Sequence, residues 1–69
     1  MPYVNIRITA GATDEQKAEL IAGTTDLLVR VLNKNPAATF VVIDEVPLEN
    51  WGTAGISVAE RTKRAAAAG

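Results

Sequence analysis

Few side chains in this 69-residue chain can do chemistry, because it has neither cysteine nor histidine. That removes thiolate nucleophiles, disulfides, histidine-centred triads and the zinc sites built from those ligands. Ser57 in particular has no histidine to activate it. What remains is Pro2, directly behind the initiator Met1. Loss of Met1 would leave a secondary amine at the start of a rigid segment, with no side-chain torsion to order. Burial disfavours its charged form, so the amine can stay neutral near pH 7 and act as a base. Alone, Pro2 also reads as the ordinary start of an edge strand. Three further side chains are candidates for holding a ligand, each with a plainer reading beside it. Trp51, the sole tryptophan, is a pocket wall or a core or interface anchor. Phe40 is a pocket or core residue, and Arg7 is a carboxylate partner or a solvated strand residue. Asp44 and Glu45 read as solvated carboxylates closing a strand, with water activation as the lesser reading. Gly52-Thr53-Ala54-Gly55 has neither the length nor the lysine of a phosphate loop and reads as a turn.

The elements that must position these residues follow from periodicity. Val4, Ile6 and Ile8 alternate with Tyr3, Asn5, Arg7 and Thr9, which predicts a strand from about Tyr3 to Thr9 with Arg7 on the face opposite Val4 and Ile6. Ala10-Gly11-Ala12 breaks it. Thr13-Asp14-Glu15-Gln16 then matches a capping box, so a helix starts at Asp14. Leu20, Ile21, Leu27, Leu28, Val31 and Leu32 recur at three- and four-residue steps and form its apolar stripe, while Asp26 and Arg30 are placed to pair. Lys34-Asn35-Pro36 ends the helix near Asn33. Thr39-Phe40-Val41-Val42-Ile43 has the composition of a strand covered on both faces. Strand, helix, strand implies a right-handed crossover and a parallel pair. After a turn-rich stretch around Trp51, either an irregular hairpin around Ile56-Ser57-Val58 or a helix from Val58 follows, the latter favoured by the Ser57-Val58-Ala59-Glu60 box. Residues 65–69 read as a fraying tail.

The fold class is α+β, in a single domain spanning residues 1–69. Hydrophobic residues make up 48% of the chain, more than so small a monomer comfortably buries, and one helix cannot cover both faces of the second strand. Other copies must do so, as a four-stranded layer across a two-fold and then layers around a three-fold. A formal charge of −1 with interspersed signs gives no field for nucleic acid or membrane. Neither an apolar run of about 20 residues nor a signal-peptide pattern is present, which points to the cytoplasm.

Met1-Pro2-Tyr3-Val4, Gly11 ahead of the capped Asp14-Glu15-Gln16-Lys17, the apolar strand, Glu45 and the aromatic-glycine pair Trp51-Gly52 occur in an order that resembles the 4-oxalocrotonate tautomerase family, the short-chain branch of the tautomerase superfamily. The resemblance covers about residues 2–64. It implies a β-α-β protomer, commonly assembled as a hexamer and sometimes as a dimer, with no metal or organic cofactor. It also implies an isomerase in which Pro2, once Met1 is cleaved, acts as base and then acid in moving a proton between the enol and ketone forms of a small enol or α-keto acid. Trp51 takes the place of the family's aromatic pocket residue. Two arginines that members acting on dicarboxylates carry are replaced, by Ala12 and by Phe40. Their loss, with Trp51 and Phe40 present, points to a substrate with one carboxylate and an apolar or aromatic remainder. It also leaves room for two alternatives: hydration or dehalogenation of an unsaturated acid through Glu45 or Glu49, and a non-catalytic subunit of a tautomerase-like oligomer.

Overall fold

The computed structural model describes residues 2–68, and the retention or removal of Met1 lies outside them. The chain runs β1 (Tyr3–Thr9), α1 (Asp14–Leu32), β2 (Phe40–Val46), β3 (Gly52–Thr53), β4 (Ile56–Ser57) and α2 (Val58–Ala68), with short 3-10 turns at Pro36–Ala38 and Leu48–Asn50. β1 and β2 pair in parallel from Tyr3 opposite Phe40 to Thr9 opposite Val46. The β-α-β arrangement is therefore the one the alternation predicts.

α1 begins where its cap dictates. The Thr13 hydroxyl accepts the Gln16 amide at 3.1 Å and the Gln16 side chain accepts the Thr13 amide at 2.9 Å, which satisfies two of the helix's orphan donors. It ends at Asn33, in the left-handed region at φ 53° with its amide on the Val29 carbonyl. The Asp26–Arg30 pair is not among the ion pairs of the described residues.

β2 departs from expectation at both ends. It starts at Phe40 rather than Thr39 and continues past Ile43 through Asp44, Glu45 and Val46. The two carboxylates do not close the strand because each finds a partner on its own side of the sheet. Glu45 faces α1 with Val4, Ile6, Ile8, Val41 and Ile43, and pairs with Lys17. Asp44 points to the outer face and takes the Asn5 amide at 2.8 Å, with Arg7 at 3.6 Å. That outer face, which also carries Tyr3, Phe40 and Val42, is uncovered in the single chain. The coverage of β2 on both faces expected from its composition is thus not provided within one copy.

Beyond β2, hairpin and helix both exist and succeed one another. β3 and β4 pair antiparallel, Gly52 opposite Ser57. The connection places Ala54 at φ 54° and Gly55 at φ 84°, the positive values that a two-residue type I′ turn requires at both central positions. α2 then starts directly, with the Ser57 hydroxyl accepting the Glu60 amide at 3.0 Å. It runs through Ala68, and Gly69 lies outside the described residues. No helix of the described residues is long and apolar enough to cross a membrane.

Candidate active site

Pro2 is half-buried immediately before β1, and its carbonyl accepts the Phe40 amide at 3.0 Å. The ring is thereby tied to the sheet at the edge where both parallel strands begin. Phe40 and Tyr3, paired across the strands at that edge, lie on the outer face. Both are substantially exposed.

Trp51 sits at the other edge. Pro47 turns the chain out of β2 into the 3-10 turn Leu48–Asn50, and the Trp51 amide closes that turn on Leu48. The Trp51 carbonyl accepts the Val58 amide at 2.7 Å, locking the segment to the start of α2. Together with Arg7, Val46, Asn50 and Gly52 it lines an open depression of about 350 Å³. At Gly52 a side chain would make ordinary contact with the Ile56 carbonyl, 3.4 Å away. Arg7 reaches the depression from the outer face of β1.

The candidate residues therefore fall into two groups, Pro2 with Phe40 and Arg7 with Trp51. Five residue-to-residue steps separate Pro2 from Arg7, a distance of about 16 Å at the usual strand rise. Trp51, which takes the place of the family's aromatic pocket residue, does not line a depression with Pro2 inside one chain. The signal was present in the sequence: in a parallel pair both strands start at one edge, so a residue before β1 and a residue after β2 must lie at opposite edges. Asn50 and the Asn5–Asp44 pair, which also shape the depression's surroundings, carried no motif to reveal them.

The loop between β1 and α1 is held by Glu45, whose carboxylate accepts the Gly11 amide at 3.3 Å and pairs with the Lys17 ammonium. Gly11, at φ 130°, adopts a conformation that a side chain would strain. The hydrogen bond from Lys17, then that from the Gly11 amide, holds the Glu45 carboxyl below its ordinary value, and the same Lys17–Glu45 bond raises the Lys17 ammonium. These are bonds of a structural clamp. They anchor the β1–α1 loop and the start of α1 to β2. Ala12, in the same loop, lines a second depression of about 470 Å³ with Gln16, Glu19 and Leu20. No group of three metal-ligating side chains occurs among the described residues.

The Tautomerase family, described as tautomerase enzyme, matches residues 2–61. This chain belongs to the tautomerase family. It is 62% identical over 66 residues to "Probable tautomerase K2" of Dickeya dadantii, covering 94% of this chain and 98% of that one. It is 40% identical over 60 residues to the 2-hydroxymuconate tautomerase of Comamonas testosteroni, covering 87% and 95%. Among solved structures, DmpI from Helicobacter pylori superposes with a TM-score of 0.80 at 46% identity over 90% of this chain and 97% of that one. Family membership makes the chain a tautomerase-type, hence isomerase-type, protein.

Proposed function

We propose that this tautomerase-family chain is a cofactor-independent tautomerase of a small enol or α-keto acid, with Pro2 as its proton carrier after removal of Met1. The observation that carries this reading is the attachment of Pro2: its carbonyl accepts the Phe40 amide at 3.0 Å, which ties the residue to the sheet, and the residue is half-buried. The neutral amine takes the proton from the enol hydroxyl, and the resulting ammonium returns a proton to the adjacent carbon as the carbonyl forms. Proton count is conserved, and no cofactor enters the step. An apolar surround favours the neutral amine at the start of this cycle.

One chain supplies the base and the Trp51 depression about 16 Å apart, so turnover calls for a second copy to bring the Pro2–Phe40 edge over a neighbour's depression. A homo-oligomer, in the hexameric arrangement of layers around a three-fold, provides that juxtaposition and covers Tyr3, Phe40 and Val42. Relatives named for 2-hydroxymuconate tautomerase support the reaction class.

The test is ketonisation of phenylenolpyruvate and of 2-hydroxymuconate by Met1-cleaved protein, verified by intact mass, beside Pro2→Ala. The proposal expects the variant to lose at least a hundredfold in kcat/KM, the scale of a general base. Full activity in Pro2→Ala would overturn it.

A further inference from the structure

The depression at Trp51 raises a question of charge. Of the side chains lining the two depressions, Arg7 alone is cationic, and the Ala12 depression carries Glu19 instead. Of the other cations, Lys17 pairs with Glu45 and Asp14, Arg64 with Glu60, and Arg61 donates to the Thr53 carbonyl, while Arg30, Lys34 and Lys63 line neither depression. Arg7 is held differently. Its Nη2 lies 3.6 Å from Asp44 Oδ2, too far for a hydrogen bond, while the same oxygen accepts Asn5 Nδ2 at 2.8 Å. Asn5 thus takes the close position on the carboxylate and leaves the guanidinium attracted but not bonded. Its planar fork of donors is available to a carboxylate arriving in the depression.

We propose that Arg7 is the carboxylate-binding residue of the Trp51 depression, with Asn5 and Asp44 as the pair that positions it, and that the site takes a monocarboxylate with an apolar or aromatic body. The carboxylate forks onto Arg7, and the body lies against Trp51 and Val46. A volume of about 350 Å³ suits a ligand of that size. Asp44 also sets selectivity: a second carboxylate would find no second cation among the lining residues and an anion 3.6 Å from the first. For turnover this rests on the tautomerase reading above; for binding it stands by itself.

Trp51, as the sole tryptophan, reports binding by its fluorescence without any reaction. The probes are 3-phenylpropanoate, its uncharged amide, and the dicarboxylate muconate, each titrated into the assembled protein. Wild type is expected to bind 3-phenylpropanoate at least tenfold more tightly than the amide, the scale of a hydrogen bond to a charged group, and more tightly than muconate. Arg7→Gln brings the acid down to the amide's affinity, and Arg7→Lys recovers part of the difference. Asp44→Asn strengthens binding of both acids severalfold and narrows the gap to muconate. Ketonisation by Pro2→Ala tests the tautomerase reading, and acid-over-amide binding by Arg7→Gln tests this one without any turnover, so loss of one proposal is separable from loss of the other. Unchanged acid binding in folded Arg7→Gln would overturn the assignment. Should both the Arg7 and Asp44 variants fail to assemble, the wild-type contrast decides, and equal affinity for acid and amide would overturn it too.

Discussion

The proposed base, the Pro2 amine, has no side-chain torsion to order, and its basicity depends on the chain terminus. A retained Met1, or any residue added ahead of Pro2, turns the amine into an amide with no basic lone pair. Protein carrying such an extension is expected to lose ketonisation while Trp51 fluorescence still reports ligand, and intact mass run beside both assays checks it; equal turnover with and without the extension would contradict the proposed chemistry. The Lys17–Glu45 clamp gives a second outcome at this scale. A carboxyl whose folded value is depressed contributes stability above its unfolded value and loses it as pH falls through the folded one. A raised ammonium contributes below its unfolded value and loses that contribution as pH rises through the folded one. Glu45→Gln is thus expected to flatten the acid limb of the stability curve below about pH 4.5, read by urea unfolding across pH. An acid limb as steep as wild type's would show that the clamp does not operate.

Short hydrogen-bonded devices determine where each element begins and ends, and those were the features most legible in the sequence. The Thr13–Gln16 box set the start of α1, the alternation around Val4, Ile6 and Ile8 set β1, and the crossover rule set their parallel pairing. Thr13→Ala is expected to cost about 1 kcal/mol, measured by urea unfolding at fixed protein concentration. Ala54 holds a positive φ that glycine adopts without penalty, so Ala54→Gly is expected to stabilise by up to ~1 kcal/mol; a loss of stability there would mean the turn is not as described. The far end of β2 was not legible. Acidic residues ordinarily mark a strand's exit, and only the facing partners, Asn5 and Arg7 on one side and Lys17 on the other, keep Asp44 and Glu45 in the ladder. Such partnerships span more than 25 residues of sequence and leave no local pattern. The candidate site was readable as a set of residue types, but not as two separated groups.

For the molecule as a whole, incompleteness is the dominant property. The chain has a radius of gyration of 16.3 Å and extents of 50 × 24 × 16 Å, against about 11 Å for a compact chain of its length. Its accessible surface is 5088 Å², roughly 900 Å² more than a folded monomer of its mass exposes. No hydrophobic side chain among the described residues is fully buried, and Leu27, Val31 and Leu32 on α1 stand open along with Phe40 and Val42. Folding and association should then be one event. Circular dichroism melts over a hundredfold range of protein concentration are expected to shift to lower temperature on dilution, and a midpoint independent of concentration would show that the single chain suffices. The bond between the Phe40 amide and the Pro2 carbonyl adds a thermal consequence. It is a terminal rung of the sheet, and terminal rungs open before the rest. Under the proposed chemistry the fraction of working sites equals the fraction with that rung closed, so activity should decline on warming below the temperature at which helicity melts. Heat would silence this protein by fraying one bond at its first strand, with the assembly still intact around it.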